Sequence, residues 1–458
     1  MLFNSSEFAV FFPVVTLLYF ATPHRLRWLT LLVASGVFYA AFIPSYLAIL
    51  AGMILIDYAA GLMIERAAGR ARLAMLFASL AANLGVLAVF KYLPVLTLAV
   101  PLGLSFHTFQ AMAYTIEVYR GRWRAERHLG IYALYVMFYP QLVAGPIERP
   151  ARLLPQFRTH HRFDPGRAAL GLQLMAWGLF KKVVIADRLA QTVNAAYARP
   201  QAVNGPAMIV ATVFYAWQIY CDFSGYSDIA IGAAQVMGFT LTPNFRRPYL
   251  ARSTREFWTR WHMSLSTWFR DYLYIPLGGS RGGPARWAMA LMVTFLLSGL
   301  WHGANRTFVI WGGLHGLFLV GGRLTADARA SIRRSVGLVR WPRIEASLQR
   351  TMTFALISLG WIFFRAQSVG DAMHVIGHLF STSGLALSEL GVTGGQFALA
   401  CAGIASLVVI ETVDPAGDPR AWLEKRPAWA RWTCYYAIIL LTISVGVFNR
   451  SQFIYFQF

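Results

Sequence analysis

One histidine lies at the end of a long uncharged segment and is the residue best placed for chemistry. His302 stands in Leu300-Trp301-His302-Gly303, and residues 287–303 contain no Asp, Glu, Lys or Arg. A titratable side chain is costly in an apolar helix and usually serves a purpose there. Two roles fit the position: an imidazole held by a structural hydrogen bond, or a general base that accepts a proton.

A second histidine, His315, lies 13 residues further on, in Gly313-Leu314-His315-Gly316. On one straight helix the two imidazoles would point about 220° apart. They can approach each other only if Ala304-Asn305-Arg306 interrupts the helix. A shared metal ion is weakly supported, because no Cys or carboxylate is placed to complete its ligands. The sequence therefore predicts no metal site.

The segment that precedes this uncharged run combines aromatic and basic side chains. Ser253-Thr254-Arg255-Glu256 is a capping-box sequence, and it predicts a helix that continues to about Tyr272. The apolar stripe of this helix would comprise Phe257, Trp261, Leu265, Trp268 and Tyr272. Such a helix suits an anchor at the membrane interface. Alternatively, it presents Arg260, His262 and Arg270 to an anionic donor such as a phosphate-bearing thioester.

Two other motifs have structural and functional alternatives. Asp222 and Asp228 lie between apolar segments, where they could form a proton or ion pathway, or a polar helix break capped by Ser and Asp. The glycine-rich stretch 277–284 lacks the Gly-Lys-Ser/Thr ending of a phosphate-binding loop. It therefore predicts a tight turn.

The elements that must position these residues are membrane helices. The chain of 458 residues is 57% hydrophobic and only 13% charged, and apolar runs of spanning length recur along it. We predict an all-α polytopic membrane protein, a single domain over residues 1–458, with roughly 11–13 transmembrane or re-entrant helices. Residues 8–20 are expected to remain as a membrane segment, because no cleavage site follows them.

The charge distribution predicts an orientation in the membrane. The net charge of +21 comes from 41 Lys and Arg against 20 Asp and Glu. The basic residues collect in short loops, which favours anionic lipid over nucleic acid as their partner. Arg-rich loops follow the first, third and fifth apolar runs, so the N-terminus is predicted to lie outside. The cysteines Cys221, Cys401 and Cys434 are widely spaced, and we expect packing roles for them.

Several short motifs, taken together and in their order along the chain, carry a family resemblance. They are Pro101-Leu-Gly-Leu-Ser-Phe106, Thr108-Phe-Gln110, Tyr139-Pro-Gln-Leu-Val-Ala-Gly-Pro146, residues 220–232, Glu256-Phe-Trp-Thr-Arg-Trp-His262, Ser264-Leu-Ser-Thr-Trp268, Arg270-Asp-Tyr-Leu-Tyr274, Gly299-Leu-Trp-His-Gly303 and Phe453-Ile-Tyr-Phe-Gln-Phe458. The chain resembles the membrane-bound O-acyltransferase family over nearly its whole length. The similarity is strongest to the bacterial branch that O-acetylates alginate and other polysaccharides.

This resemblance implies a helical funnel with a tunnel through the membrane. A cytosolic acyl thioester would donate its acyl group through the tunnel to an acceptor on the far side. The family's histidine corresponds to His302, which would take a proton from the acceptor hydroxyl as that hydroxyl attacks the thioester. His315 corresponds to a second, ancillary histidine. Arg270 and Asp271 are weaker candidates for orienting the site.

The resemblance also implies the substrates and the location. The simplest donor is acetyl-CoA as a co-substrate, with no bound cofactor. The acceptor would be a secreted or cell-envelope polysaccharide, reached through a periplasmic SGNH-like acetyltransferase or another polysaccharide-modifying partner. The membrane would be the bacterial inner membrane. The alternative function is a transporter or channel subunit of a polysaccharide export complex, suggested by Asp222 and Asp228, and a structural scaffold is a weaker third.

Overall fold

The computed structural model describes residues 1–93, 101–381, 384–413, 419–448 and 453–454, and all regular structure within them is helical. This confirms the predicted all-α class. Residues 94–100 of one predicted apolar run and residues 455–458 of the C-terminal motif lie outside the described residues. The α-helices of the described residues are α1 Ser6–Ala21, α2 Arg27–Ala40, α3 Tyr46–Arg66, α4 Gly69–Tyr92, α5 Leu104–Tyr119, α6 Leu129–Met137, α7 Pro150–Leu153, α8 Pro165–Phe180, α9 Asp187–Ala198, α10 Gly205–Met237, α11 Thr254–Trp258, α12 Met263–Phe269, α13 Pro284–His302, α14 Arg306–Leu324, α15 Ala326–Ser335, α16 Pro342–Arg365, α17 Val369–His378, α18 Gly394–Val413, α19 Pro419–Glu424 and α20 Ala428–Val445.

Seven helices in the described part of the chain are long and apolar enough to cross a membrane. They are α3, α4, the continuous α8–α9 unit, α13, α14, α18 and α20. The chain is therefore a multi-pass membrane protein. The other apolar runs of the sequence form shorter helices, such as α1, α2, α5 and α6, or helices with charged residues, such as α10 and α16. The prediction of roughly 11–13 transmembrane or re-entrant helices counted these additional helices together with the spanning ones.

The single helix predicted from Ser253 to about Tyr272 is wrong. α11 ends at Trp258, and His262 adopts a left-handed backbone conformation with φ 42° before α12 begins. A π-helical turn, Arg270–Tyr274, then follows α12. The predicted cap is confirmed, because Ser253 Oγ accepts a hydrogen bond from the Glu256 amide at 3.1 Å. The glycine-rich stretch before α13 forms the predicted turn.

Four of the five residues of the predicted stripe are buried inside the protein, so the stripe does not form an anchor on the membrane interface. Phe257, Trp261, Leu265 and Trp268 are each at most 6% exposed, whereas Tyr272 is partly exposed. Their spacing suited a helix because α11 and α12 are both helical and both face the core. The break between them lies on the buried side as well, so the hydrophobic pattern did not reveal it.

The helix break considered near Asp222 and Asp228 is also wrong, because α10 continues through both residues. Lys182 Nζ lies 2.6 Å from Asp222 Oδ1, and Lys181 Nζ lies 2.7 Å from Asp228 Oδ2. Both lysines belong to the π-helical turn Lys181–Ala186 between α8 and α9. Paired charges of this kind allow carboxylates to remain inside a membrane protein. The pairs also remove the main reason for proposing a transport pathway here.

Glycines allow α13 and α14 to pack against each other at short distance. A Cβ atom on Gly299 would lie 2.2 Å from the Phe308 carbonyl oxygen, and one on Gly312 would lie 2.2 Å from the Phe295 carbonyl oxygen. Small residues at such contacts let the backbones of membrane helices approach closely. This packing holds the C-terminus of α13, where His302 lies, against the beginning of α14.

Candidate active site

His302 is the last residue of α13, and only 4% of its surface is exposed. Gly303 follows with an extended backbone and ends the helix. Asn305 then caps α14, because its Oδ1 accepts a hydrogen bond from the Thr307 amide at 3.1 Å. Its Nδ2 donates to the Gln367 carbonyl oxygen at 2.7 Å, which fixes the turn to the end of α16. The interruption that the two histidines need in order to approach each other is therefore present.

Aromatic rings enclose the imidazole of His302. Its ring centroid lies 4.7 Å from that of Trp301, 4.9 Å from Phe364 and 5.1 Å from Trp311. All three contacts are edge-to-face, with interplanar angles of 75–86°. Such contacts pack tightly and keep bulk water from the ring. A buried ring in this setting can exchange a proton with a bound group without competition from solvent.

The end of α4 fixes the end of α13. Lys91 Nζ donates a hydrogen bond to the Trp301 carbonyl oxygen at 2.6 Å and lies 5.6 Å from the centroid of the Trp301 ring. Tyr92 OH donates to the Leu300 carbonyl oxygen. The last carbonyl groups of a helix have no partner within the helix and carry its negative dipole end. Lys91 and Tyr92 satisfy two of them, immediately before His302.

His262, predicted as a donor-binding or orienting residue, lies near the same place. Its ring centroid is 4.6 Å from Phe223, 5.9 Å from Phe106 and 6.4 Å from Trp301. Trp301 contacts both imidazoles, because its ring centroid lies 4.7 Å from that of His302 and 6.4 Å from that of His262. The positive φ of His262 is uncommon for a residue with a side chain, and such conformations concentrate at functional sites. The geometry thus groups His262 with His302.

His315 is fully buried in the middle of α14. The Trp311 ring contacts both predicted catalytic histidines. Its centroid lies 5.1 Å from that of His302 and 4.9 Å from that of His315. The helix interruption therefore brings both imidazoles against one indole. Within the described residues, no group of three or more His, Cys, Asp or Glu could hold a metal ion.

Arg270 and Asp271 lie elsewhere, in a group of charged residues beside the C-terminus of α5. Asp271 Oδ2 is 3.3 Å from Arg149 NH2, and Asp271 Oδ1 is 2.8 Å from Arg270 Nε. Arg120 NH2 donates to the Asp271 carbonyl oxygen at 3.1 Å. A cavity of about 430 Å³ opens here, and its lining comprises Arg120, Arg122, Asp271, Ile275 and Pro276. We call it the arginine mouth.

The predicted site residues therefore separate into two levels along α5. Phe106, near the start of α5, contacts His262, whereas Arg120 caps its other end beside Asp271. Their sequence separation of 14 corresponds to about 21 Å along a helix axis. Near the histidine end, Trp268 Nε1 donates to the Phe109 carbonyl oxygen at 2.9 Å, and the π-helical turn that contains Asp271 follows α12 directly. One set of elements thus connects the arginine mouth with the histidine level.

Arg260 belongs to neither group. Its NH2 pairs with Glu256 Oε1 within the same segment, and its NH1 donates to the Arg247 carbonyl oxygen at 3.3 Å. These bonds fix the short connection between α11 and α12. These contacts are local, and the donor-binding role of Arg260 stays a prediction.

A buried carboxylate, that of Glu148, fixes the loop after α6, and the next residue in this loop, Arg149, pairs with Asp271. Glu148 Oε1 accepts a hydrogen bond from the Thr242 amide, and Oε2 accepts one from Thr242 Oγ1 at 3.2 Å. Arg152 Nε lies 3.8 Å from Oε2. Burial raises the pKa of Glu148, and the Thr242 hydrogen bonds and the arginine charges only partly offset that rise. The side chain connects the loop after α6 to the loop after α10.

The sequence did not identify Lys91, Trp311, Arg120 and Arg149 as residues around the candidate site. Lys91 is the one basic residue at the end of an otherwise apolar run, and in the sequence it contributes only to the prediction of membrane orientation. Arginines in loops are expected in any multi-pass protein. Their gathering around Asp271 therefore has no signal in the sequence and emerges only from the fold.

Comparison with known proteins identifies the family. The model of MBOAT, the membrane-bound O-acyltransferase family, matches residues 127–367. The chain is 36% identical to the probable alginate O-acetylase AlgI of Pseudomonas putida, over 100% of both proteins. It is 40% identical to the Pseudomonas aeruginosa protein of the same name, over 85% of this chain and 77% of that protein. It is 34% identical to the peptidoglycan O-acetyltransferase of Helicobacter pylori, over 87% of this chain and 83% of that protein. The chain therefore belongs to the membrane-bound O-acyltransferase family and is a multi-pass O-acyltransferase.

Proposed function

We propose that this protein transfers an acetyl group from cytosolic acetyl-CoA to a hydroxyl group of a secreted or cell-envelope polysaccharide. The observation that carries the proposal is the position of His302. It is a buried imidazole at the end of a membrane helix, surrounded by aromatic rings and fixed through the carbonyl groups that Lys91 and Tyr92 bind.

The orientation predicted from the charge distribution supports a donor that arrives from the cytosol. We propose that the N-terminus lies outside, so that the loop after α5 and the arginine mouth beside it face the cytosol. Trp301, the residue before His302, is hydrogen-bonded to the end of α4, which lies at the opposite side of the membrane in this topology. The thioester would thus enter at Arg120 and Arg122, whose guanidinium groups suit the phosphates of coenzyme A. An acceptor from outside would reach His302 from the other direction.

The reaction requires one proton acceptor at the place where the donor thioester and the acceptor hydroxyl meet. A ring nitrogen of His302 takes the proton of the acceptor hydroxyl while the oxygen forms a bond to the thioester carbonyl carbon. The carbon–sulfur bond then breaks, and the imidazolium returns the proton to the leaving thiolate. No bound cofactor or metal takes part in this scheme. We propose that His262, whose ring centroid lies 6.4 Å from that of Trp301, orients the reacting groups.

The acceptor and partner are proposed from the relatives. Those relatives carry names that refer to alginate and to peptidoglycan, both polymers outside the cytoplasm. We therefore propose that the protein lies in a bacterial inner membrane. We propose that a periplasmic SGNH-like acetyltransferase or another polysaccharide-modifying protein receives or completes the transfer.

The test is the acetate content of the envelope polymer in cells that produce His302→Ala at the same membrane abundance as the wild type. We expect acetylation to fall to the level of a deletion strain, because removal of a general base typically costs about 10²–10⁴-fold in rate. His378→Ala, which alters an exposed histidine, is the matched control and should leave acetylation unchanged. Normal acetylation in His302→Ala cells would overturn the proposal.

A further inference from the structure

The short helix α15 exposes an apolar stripe between two long helices. Ala328, Ile332 and Val336 recur at intervals of four residues, so they share one face of α15. Ile332 is 60% exposed and Val336 is 67% exposed. A different face holds α15 to α16, because Arg333, about 100° further around the helix than Ile332, lies with its NH1 2.8 Å from Glu345 Oε1. The contact that fixes α15 thus leaves the stripe at the surface.

The flanking helices fix the depth of α15 relative to the membrane. Leu324, the last residue of α14, is 70% exposed, and α15 begins two residues later. On the other side, α16 exposes Ile344, Leu348 and Met352 at intervals of four from its third residue onward. Both helices therefore present apolar side chains outward up to the points where they join the connection through α15. Because such faces of a membrane protein contact lipid, α15 lies where the hydrocarbon meets the headgroups.

The same part of the chain is strongly basic. Residues 323–343, which we call the α15 segment, contain six arginines and one aspartate, a formal charge of +5. Arg334, Arg340 and Arg343 are exposed. Trp341, between the last two, is also exposed, and tryptophan is enriched where a membrane meets water. The α15 segment thus combines an apolar face with cations and an interfacial aromatic ring.

This combination favours one occupant for the exposed stripe. A membrane that contains anionic lipid offers acyl chains to the stripe and phosphate groups to the arginines at the same depth. A nucleic acid would pair with the arginines but would leave the stripe exposed to water. In a two-fold contact with a second copy of this chain, the same patch would meet itself, and two segments of charge +5 would repel each other.

We propose that the α15 segment is an interfacial element that binds anionic lipid, with its apolar face among the acyl chains and its arginines on the headgroups. It lies on the side of the membrane where the arginine mouth opens. The guanidinium group of Arg323 is 4.3 Å from the centroid of the Trp287 ring, in the first turn of α13, and the mouth residues Ile275 and Pro276 precede that helix by a short turn. The inference concerns lipid binding and does not depend on the proposed acyl transfer.

The test measures hydrogen–deuterium exchange of the α15 amides in the full-length protein, with one copy in each lipid nanodisc. One set of discs contains phosphatidylcholine only, and the other contains an equal mixture of phosphatidylcholine and phosphatidylglycerol. We expect exchange in the anionic discs to be slower, by about fivefold for each arginine that binds a headgroup. The amides of α13 and α14 in the same samples report whether the protein is folded.

Three variants separate the apolar contact from the charged one. Ile332→Ser should speed exchange of α15 in both kinds of disc, because it removes apolar area while the helix propensities of the two residues are similar. Arg334→Gln should lower the ratio of the exchange rates between the two lipid compositions about fivefold. Arg199→Gln, at an exposed arginine outside the α15 segment, is the matched control and should change neither quantity.

Two results would overturn the inference. The first is equal exchange of the wild-type α15 amides in both kinds of disc, or a ratio in Arg334→Gln equal to that of the wild type. The second is protection of α15 that appears only in discs with two copies of the protein, because the stripe would then bind a second chain.

Discussion

Lys91 Nζ and the carbonyl oxygen of Trp301 are 2.6 Å apart, although 210 residues separate them in the chain. This bond joins the end of α4 to the residue immediately before His302. A charged donor at the C-terminal end of a helix interacts favourably with the helix dipole and satisfies a carbonyl that the helix leaves unpaired. Because the carbonyl is adjacent to the candidate base, the bond fixes the position of the imidazole as well as the end of α13.

We predict that Lys91→Met lowers acyl transfer about tenfold or more, the effect of losing one hydrogen bond to a charged group. The expected cause is a misplaced imidazole, so kcat should fall while the KM for the donor changes little. Lys91→Arg keeps a cationic donor and should recover most of the rate. The measurement is acetyl transfer by membranes of each variant as a function of acetyl-CoA concentration. Lys425→Met, at an exposed lysine, is the control. Full activity in Lys91→Met would mean that α13 needs no support from α4.

The sequence predicts the helices of this protein better than it predicts the contacts between them. The class of the protein follows from apolar runs of spanning length, and His302 follows from one titratable residue within such a run. Both are local properties of the sequence. The requirement that residues 304–306 interrupt the helix was also predictable, because it follows from helical geometry alone.

The wrong predictions arose where tertiary packing decides the conformation. The spacing of Phe257, Trp261 and Trp268 fits one helix, yet the backbone breaks at His262 because loop atoms supply other partners. Asn244, in the loop after α10, accepts a hydrogen bond from the Met263 amide with its carbonyl oxygen at 2.9 Å. The ion pairs of Asp222 and Asp228 were equally hidden, because their lysines lie more than 35 residues earlier in the chain. No local pattern encodes contacts of this range.

Gly299 is predicted to be intolerant of a side chain. In Gly299→Ala, the new Cβ atom would lie 2.2 Å from the Phe308 carbonyl oxygen, so α13 and α14 must separate. Overpacking of this kind typically costs about 1–3 kcal/mol. We expect a lower thermal unfolding temperature and reduced acyl transfer, because His302 moves with the end of α13. Gly321→Ala, on α14, is the control: a Cβ atom there would meet no other atom within 4 Å, so this variant should be as stable as the wild type or more so. Equal stability of both variants would argue against close packing at Gly299.

Glu148 is predicted to make the stability of the protein depend on pH. Burial raises the pKa of its carboxyl group in the folded protein above the ordinary value of 4.5. A group with a raised folded pKa contributes its full stability below its unfolded pKa, and that contribution is lost as the pH rises through the folded pKa. The wild type should therefore lose stability from about pH 4.5 upward relative to a variant that cannot ionise at this position.

Glu148→Gln tests this directly, because the amide oxygen can still accept the hydrogen bond from the Thr242 amide. We expect the difference in unfolding temperature, variant minus wild type, to increase as the pH rises from about 4 to about 8 and to level off above the raised pKa. Thermal unfolding in nanodiscs at a series of pH values measures this difference. Glu424→Gln, at an exposed glutamate, should give a difference that does not change with pH. A constant difference for Glu148→Gln would mean that the Thr242 bonds and Arg152 fully compensate the burial of the carboxylate.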